Sequence, residues 1–531
     1  MRALFLALLL TLMAGVAAQA APSVTWRVTK DHWDENDERG YSAFVTAIGR
    51  SGCSSSQSCL RDPANPYRGS DQAFLDIDVD CAKLPYLLRA YYAWKNGLPF
   101  SWVSGVAGTR FGGTSNRIAG RAGIVDTGGG VNGPDAIRAM LGVVYSATFR
   151  TDMAKDSAIP ADFYSPALQP GSIRPGTVIY DTNAHIGVVY EVDAAGRIHY
   201  MDAHPDFTIT RSVYGPQFGR GPAALGWGLK NWRPLKLVGA RWNGHSLVGG
   251  RYVLAANAQI KDFSLVQYDG TEPNPSGDPA KARFSYNGAR LGFYEYARVA
   301  VSGGRADFNP IYEVQAAMRS LCNDLEDRRQ AVEQAVANGI AARLHPSGMP
   351  DNIYSSDDSV WESYATPSRD TRLRAGFVGF RNELARMVRL WLNRDPRIVY
   401  DGTDLKADLL MAYDGMSARC VTTYLSSDKR PVSLTFDDVT RRLFAMSFDP
   451  YNCVELRWGD DGNDGSGACP DQAGKRRYYA MQERQRHVVD RDSGAMAGPQ
   501  DVDIRGLILS MPARPPFVQR YPGGDRQSAL P

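Results

Sequence analysis

The three predicted strands that decide the fold lie in residues 177–202, TVIYDTNAHIGVVYEVDAAGRIHYMD. Runs rich in Val, Ile and Tyr predict strands at 177–181, 185–192 and 197–202. The second and third runs are separated by Asp-Ala-Ala-Gly, a connection that predicts a β-hairpin. With a further strand predicted at 207–214, the sequence indicates an antiparallel sheet.

A helix that begins near Cys81 is the natural partner for this sheet. Residues 81–94 carry apolar side chains at helical spacing, and Pro85 is compatible with a helix because it falls in the first turn. The apolar positions are Leu84, Leu87, Leu88 and Tyr91. We expect this helix to pack against the antiparallel sheet.

The rest of the chain divides into segments of different character. Residues 21–68 are polar and predicted to be irregular, and the Gly-, Ser- and Thr-rich residues 101–134 predict a long insertion or binding loop before a helix at 134–144. After residue 309, amphipathic periodicity predicts helices. These helices are expected at 311–342, 372–392, 406–425 and 475–489. The fold class is therefore α+β, followed by a mostly α-helical C-terminal domain.

The length of 531 residues predicts two or three domains. The predicted division is a signal peptide at 1–20, an α+β domain at 21–237, a strand-rich bridge at 238–308 and a helical domain at 309–531.

The N-terminus has the features of an export signal. Arg2 is followed by the apolar run 3–17, and Ala18-Gln19-Ala20 provides a small-x-small cleavage pattern. We therefore expect a periplasmic or secreted protein with no stable membrane anchor after signal removal. The formal net charge of +3 comes from interspersed acids and bases, which argues against a nucleic-acid partner.

The seven cysteines predict one free thiol in an oxidising compartment. Sequence positions favour three pairs, although sequence alone does not fix the connectivity. The favoured pairs are Cys53 with Cys59, Cys322 with Cys420, and Cys453 with Cys469. Cys81 is the cysteine left over.

Cys81 is a candidate nucleophile because it precedes a helix, whose N-terminus lowers the pKa of a thiol. The nearby acids Asp76, Asp78 and Asp80 act in the opposite direction, so a neighbouring imidazolium would be needed. His185 is the best placed base, since it opens a strand directly after a turn.

The base needs an acceptor on its second ring nitrogen, and two residues compete for this role. Asp202 ends the next strand of the hairpin, where cross-strand pairing brings it near His185. His204 lies two residues further and points to the same face if the strand continues. Asp202 is the first choice and His204 the alternative.

Three motifs carry a family resemblance. They are Asp80-Cys81 before a helix, Pro175-Gly176-Thr177-Val178-Ile179-Tyr180, and His185-Ile186-Gly187-Val188-Val189-Tyr190. Together they resemble the NlpC-type cell-wall cysteine peptidases of the papain-like superfamily, over roughly residues 65–215. The resemblance implies a papain-like fold with Cys81 as nucleophile, His185 as base and Asp202 as the residue that orients the base.

Two further residues are candidates for substrate binding. Tyr67-Arg68-Gly69 resembles the Tyr-x-Gly stretch that precedes the nucleophile in this family, which implies that Tyr67 contacts the substrate or the oxyanion. Asp80 is the second candidate because it adjoins the nucleophile.

A metal site is an alternative for the same residues, since zinc binds His and Asp side chains. Apart from His185, Asp202 and His204, no ligand pair at tight helical spacing supports it. We therefore expect neither a metal nor another cofactor.

The expected activity is hydrolysis of an amide bond in a peptide or cell-wall peptide through a thioester intermediate. One alternative is a cell-wall or partner-binding protein on the same fold without turnover, because Ala82-Lys83 replaces the Ser-Gly of the family motif. The other is an acyltransferase, because the same thioester serves both reactions.

Overall fold

The structure of the protein is a computed structural model that describes residues 24–70, 76–108, 115–182, 184–304, 308–346, 360–361, 364, 367–460, 472–489 and 498–512. The predicted signal peptide lies outside these residues. Helices and strands are mixed along the described chain, so the fold is α+β.

Helices and strands are numbered separately in chain order. The α-helices of the described residues are α1 (Glu35–Arg50), α2 (Ser56–Arg61), α3 (Lys83–Lys95), α4 (Gly133–Leu141), α5 (Val266–Asp269), α6 (Phe293–Val301), α7 (Pro310–Ala337), α8 (Pro367–Leu392), α9 (Leu405–Ser417), α10 (Phe436–Arg442), α11 (Val454–Arg457), α12 (Gln472–Met481), α13 (Glu483–Arg486) and α14 (Ile504–Ser510). The strands are β1 (Thr25–Trp26), β2 (Ser101–Ala107), β3 (Arg117–Gly123), β4 (Val131–Asn132), β5 (Phe163–Tyr164), β6 (Val178–Tyr180), β7 (Ile186–Val192), β8 (Ile198–Ala203), β9 (Ile209–Val213), β10 (Gly228–Trp232), β11 (Leu235–Val238), β12 (Arg241–Trp242), β13 (Leu247–Val248), β14 (Arg251–Leu254), β15 (Phe284–Tyr286), β16 (Ala289–Leu291), β17 (Thr422–Leu425) and β18 (Pro431–Leu434).

The centre of the N-terminal part is a six-stranded sheet in the order β5-β10-β6-β7-β8-β9. Its neighbouring strands all pair antiparallel, which confirms the predicted arrangement of β6 to β9. The β7–β8 hairpin closes at Asp193, whose carboxylate accepts hydrogen bonds from the backbone N–H groups of Ala195 and Arg197, both at 2.9 Å. Its register sets Gly187 opposite Asp202.

Helix α3 forms where the apolar spacing predicted it. Its predicted apolar positions, Leu84, Leu87, Leu88 and Tyr91, are all at most 2% exposed. They belong to a core that also contains Val188 of β7. The predicted packing of this helix against the sheet is confirmed.

Helix α1 corrects the prediction that residues 21–68 are irregular. Asp34 caps the helix by accepting a hydrogen bond from the backbone N–H of Asp37, whose side chain in turn accepts from the backbone of Asp34. Phe44 and Ile48 on one face of the helix are buried in the core. The reciprocal cap and the apolar face stabilise the helix despite its many polar residues.

The β2–β3 hairpin corrects the prediction of a loop at 101–134. Its two strands pair antiparallel, and Val103 and Ile118 are buried. Arg121 on β3 forms an ion pair of 2.7 Å with the buried Asp162. Glycines in the strands interrupt the alternation of polar and apolar residues that would have predicted them. The helix expected to follow is present as α4.

The predicted helices at 311–342 and 372–392 are confirmed as α7 and α8, and the one at 475–489 is divided between α12 and α13. The prediction of a continuous helix at 406–425 is wrong, because α9 ends at Ser417 and the chain continues into strand β17. Side chains along β17 alternate between buried and exposed, as the period of a strand requires.

The helical region covers one edge of the central sheet. Strand β9 is the last strand of the sheet, and helix α7 packs against it. Helix α8 adds two ion pairs to the β8–β9 hairpin: Arg369 with Asp206 at 2.9 Å and Arg372 with Asp202 at 2.6 Å. The edge strand is therefore shielded from pairing with another chain.

Two predicted disulfides are confirmed, Cys53 with Cys59 and Cys322 with Cys420. Cys453 is also disulfide-bonded, and its predicted partner Cys469 lies outside the described residues. Cys81 is a free thiol. In the described chain, none of the helices has the length and apolar character needed to cross a bilayer.

We predict that the two disulfides differ in their contribution to stability. The Cys322–Cys420 pair closes a loop of 98 residues and the Cys53–Cys59 pair a loop of only 6. Loop-closure entropy then gives about 4.7 and about 2 kcal/mol at 25 °C. Urea unfolding followed by circular dichroism should show the larger loss for the Cys322→Ser/Cys420→Ser variant. An equal loss of unfolding free energy in this variant and in Cys53→Ser/Cys59→Ser would contradict the entropic origin of the difference.

Candidate active site

Cys81 lies at the junction between helix α3 and the central sheet. The backbone carbonyl of Asp80 accepts hydrogen bonds from the N–H groups of Lys83 and Leu84, both at 3.1 Å, so the thiol sits just before the first helical turn. Cys81 is half-buried, and the backbone N–H of Ile186, the first residue of β7, is close enough to act on its thiol and lower the pKa. The nucleophile candidate therefore lies one residue from the base candidate His185 along this strand.

The Cys81 thiol is neutral in the resting protein. Burial raises its pKa well above the usual range, the negative charge of Asp80 raises it further, and the N–H of Ile186 only partly offsets them. The lowering expected from the helix N-terminus is outweighed. The site therefore holds a thiol at rest, not a preformed thiolate.

His185 is held by hydrogen bonds at its backbone and at its ring. Its backbone N–H donates to Oδ1 of Asp181 at 3.0 Å, across the turn that precedes β7. Its ring nitrogen Nε2 lies 2.7 Å from Oδ2 of Asp202. Since an ionised carboxylate only accepts, this contact assigns the proton to Nε2 and leaves the lone pair on Nδ1 to act as a base.

Asp202 is fully buried and ionised. Burial by itself would raise its pKa, but the positive charge of Arg372, and after it the hydrogen bond from His185, hold the pKa of Asp202 well below its usual range. Oδ2 accepts from His185 and from Arg372, while Oδ1 accepts from the hydroxyl of Thr210 at 2.5 Å. Each carboxylate oxygen is therefore fixed in direction, and with it the His185 ring.

His204 is placed on the other side of Asp202. Its Nε2 lies 2.9 Å from the hydroxyl of Thr210 and 3.8 Å from Oδ1 of Asp202. Its ring stacks on that of His185 with centroids 5.4 Å apart. Burial, and after it the charge of Arg369, keep the pKa of His204 well below its usual value. The His185 ring is hydrogen-bonded to Asp202, and the neutral His204 ring stacks beside it.

A metal does not fit this group of residues, although ligand atoms of His185, Asp202 and His204 lie within 4.8 Å of one another. The Arg372 guanidinium donates to Asp202 at 2.6 Å, which sets a fixed positive charge where a cation would bind. The arrangement suits a hydrogen-bonded His–Asp pair.

Tyr67 is not brought to the thiol. Its hydroxyl hydrogen-bonds Asn96, the residue that ends helix α3, and its ring packs against Phe44, Tyr91 and Tyr92. The 13 residues of this helix span about 20 Å, so the hydroxyl is remote from Cys81. The predicted substrate contact therefore has no support in this geometry.

Asp80 is next to the nucleophile but is used within the protein. Its carboxylate binds the side chain of Lys83 at 2.6 Å and the backbone N–H of the same residue at 3.2 Å. Asp80 thus binds Lys83, the first residue of helix α3, and its charge disfavours a thiolate at Cys81. These contacts give it a local role in place of the predicted contact with substrate.

Sequence reasoning missed Arg372 and Thr210, the two other groups that hold Asp202. Arg372 is 170 residues away in sequence, so no local pattern links the two. The one available signal was the concentration of arginines at 369, 372 and 374 near the start of a predicted amphipathic helix. All three arginines are buried, and buried arginines require acidic or carbonyl partners.

Comparison of the chain with known protein families, with curated proteins and with solved structures finds no match.

A second acidic group lies behind Asp202, on helix α7. Asp324 lines a cavity of about 180 Å³ between β9, α6, α7 and α8. Burial raises the pKa of Asp324 to about 7, although Arg372 acts in the opposite direction. Burial, followed by the charge of Asp324, raises the pKa of Asp327 to about 8. The helical region therefore holds carboxyl groups that take up protons near neutral pH.

These raised pKa values predict a loss of stability as pH increases. A carboxyl whose pKa is higher in the folded than in the unfolded state binds more protons when folded, here between about pH 4 and pH 7 for Asp324. Stability should fall as pH rises through this window. Asp324→Asn should be more stable than the wild type at pH 8.5 by roughly 1–3 kcal/mol, and similar to it at pH 4.

Urea unfolding at the two pH values measures this difference. Glu326→Gln is the matched control, because Glu326 lies on the same helix, is exposed, and has a pKa lowered mainly by Arg329. The control should gain nothing at pH 8.5. An equal gain in both variants would show that the effect is general surface charge.

Proposed function

We propose that the protein is an exported cysteine hydrolase that cleaves amide bonds, with Cys81 as nucleophile, His185 as base and Asp202 as the orienting residue. The observation that carries this proposal is the meeting of a free thiol and a His–Asp pair at one helix–sheet junction. The backbone N–H of Ile186 at the start of β7 acts on the thiol and lowers its pKa, and the preceding residue, His185, is hydrogen-bonded to Asp202.

The geometry supports a stepwise acyl transfer. As the Cys81 sulfur attacks the carbonyl carbon, its proton passes to Nδ1 of His185, and Asp202 stabilises the imidazolium through Nε2. The tetrahedral oxyanion is stabilised by the backbone N–H of Cys81, which has no acceptor within the described residues. Nδ1 then protonates the leaving amine, and a thioester remains.

Water completes the reaction. His185 removes a proton from water as the oxygen attacks the thioester, and the thiol leaves with that proton while the new carboxylic acid departs. Because the resting thiol is neutral, His185 acts as a general base during attack. This differs from a site in which a thiolate–imidazolium pair exists before substrate binds.

The substrate class rests on the resemblance of the three motifs to NlpC-type peptidases, which implies a peptide of the cell wall. Export is supported by the signal-like N-terminus and by the disulfides, since disulfides persist in oxidising compartments. We therefore name peptidoglycan peptides as the first substrates to test.

We predict that mature wild-type protein releases peptide fragments from purified peptidoglycan and that Cys81→Ala does not. His185→Ala should lose at least about a hundredfold in rate, the usual contribution of a general base. His199→Ala is the matched control, because His199 lies on β8 and only approaches Asp193 at 3.5 Å. Mass spectrometry of the soluble fraction gives the rates.

A Cys81→Ala variant with full activity would overturn the assignment. Loss of activity in His199→Ala equal to that in His185→Ala would remove the support for His185 as base.

A binding protein on the same fold is the second candidate, and the half-buried, neutral thiol favours it. In that case wild type and Cys81→Ala would sediment equally with peptidoglycan and neither would release fragments. Release of a new amide when an amine is added would instead indicate acyl transfer.

The raised pKa of Cys81 predicts slow alkylation by iodoacetamide at pH 7, at least about tenfold below a free cysteine peptide, and a rate that increases towards high pH. Asp80→Asn should react several-fold faster, since it removes a charge that raises this pKa. Asp78→Asn is the control, because Asp78 is exposed and binds Gln57. Fast alkylation of the wild type below pH 6 would contradict a neutral thiol.

A further inference from the structure

Arg372 joins the helical region to the candidate triad. Its NH1 group donates to Oδ2 of Asp202 at 2.6 Å and lies 3.3 Å from the hydroxyl of Tyr200. Both acceptors belong to strand β8, although Arg372 itself lies on helix α8. Within the described residues these are the hydrogen-bond acceptors of the guanidinium. Arg372 is therefore hydrogen-bonded to the central sheet.

Arg372 binds the same carboxylate oxygen of Asp202 that accepts the hydrogen bond from His185. Oδ2 of Asp202 is thus shared between the imidazole at 2.7 Å and the guanidinium at 2.6 Å. The side chains of Arg372 and Asp202 are 7% and 0% exposed, so water does not screen the pair. A buried carboxylate without a partner takes up a proton, and a protonated Asp202 would no longer be a purely accepting partner for Nε2.

We propose that Arg372 is a positioning residue for the candidate triad: it keeps Asp202 ionised and directed at His185, so that the helical region completes the active site. This inference rests on the proposed function for its catalytic consequence. Arg372 touches neither the thiol nor the reacting carbonyl, and it acts through Asp202.

The same helix provides a matched control. Arg369 is as buried as Arg372 and lies three residues earlier on α8, but it donates to Asp206 and Thr208 and makes no hydrogen bond to Asp202. Replacing either arginine removes a buried ion pair between α8 and the β8–β9 hairpin. Only Arg372 should affect the His185–Asp202 hydrogen bond.

The test compares Arg372→Gln, Arg372→Lys and Arg369→Gln in the full mature chain. The first readout is the pH profile of fragment release from peptidoglycan. Without the guanidinium the pKa of Asp202 rises, so the acid limb of Arg372→Gln should move up by one pH unit or more, with a rate about tenfold below wild type at pH 6. Arg372→Lys keeps a positive charge and should restore the wild-type limb.

The second readout requires no activity. In protein labelled with ¹⁵N-histidine, the nitrogen shifts of the His185 ring report which nitrogen carries the proton, with His185→Ala used for assignment. In the neutral ring the proton should lie on Nε2 in all variants. In Arg372→Gln the ring should gain its second proton, on Nδ1, at a higher pH than in the wild type, whereas Arg372→Lys and Arg369→Gln should match the wild type.

The outcomes separate this inference from the proposed function. If the wild type releases no fragments while Arg372→Gln changes the His185 shifts, the positioning role stands and the hydrolase proposal fails. If the wild type is active and Arg372→Gln matches Arg369→Gln in both readouts, the positioning role is overturned. Should Arg372→Gln fail to fold, an Arg372→Lys protein with a displaced acid limb would equally overturn it.

Discussion

The candidate site depends on a carboxylate that the protein buries completely and keeps charged. Removing an ion from water costs several kcal/mol, and this cost is offset only where hydrogen bonds and an opposite charge meet the buried group. Asp202 receives an imidazole N–H, a hydroxyl and a guanidinium N–H, each at 2.7 Å or less. The orientation of His185 follows from these contacts, because its ring is hydrogen-bonded through Nε2 to the carboxylate.

In contrast to Asp202, the Cys81 thiol has surroundings that favour its neutral form. The half-buried Cys81 lies beside Asp80, and the desolvation of its thiol and the charge of Asp80 both raise its pKa. Asp80 is held there by its contacts with Lys83, the first residue of helix α3. The charge of Asp80 thus favours the neutral thiol. A neutral thiol is compatible with a site in which proton transfer accompanies attack.

Local sequence patterns were sufficient to predict the part of the site formed by the β7–β8 hairpin. Runs rich in Val, Ile and Tyr located β7 and β8. The antiparallel register brings Asp202 opposite Gly187, two residues from His185 and hence on the same face. The apolar spacing after Cys81 located α3 in the same way. The sequence alone thus predicted that these residues lie close together.

What sequence reasoning missed has two physical causes. Helix α1 carried its signals, a reciprocal cap at Asp34 and an apolar face, but its many charged residues concealed them. For Arg372 the one signal was the cluster of arginines at 369, 372 and 374, and no local pattern pointed to its partner Asp202, which is 170 residues away in sequence. The predicted contact of Tyr67 with substrate or oxyanion gains no support, because Tyr67 packs at the end of α3 that is far from Cys81. The Tyr-x-Gly motif at 67–69 precedes Cys81 in sequence, but this order does not determine which end of α3 the tyrosine packs against.

Helix α8 lies outside residues 65–215, so that segment contains only part of the group of side chains around Asp202. That segment contains the thiol, the histidine and the aspartate, but it ends just after β9, the edge strand of the sheet. Helices α7 and α8 cover that edge, and the second of them delivers the cation that Asp202 requires. A segment without these helices would expose an unpaired strand edge and would contain a carboxylate lacking its cationic partner. The charge of Asp202 therefore depends on helix α8 as well as on the sheet that carries the carboxylate.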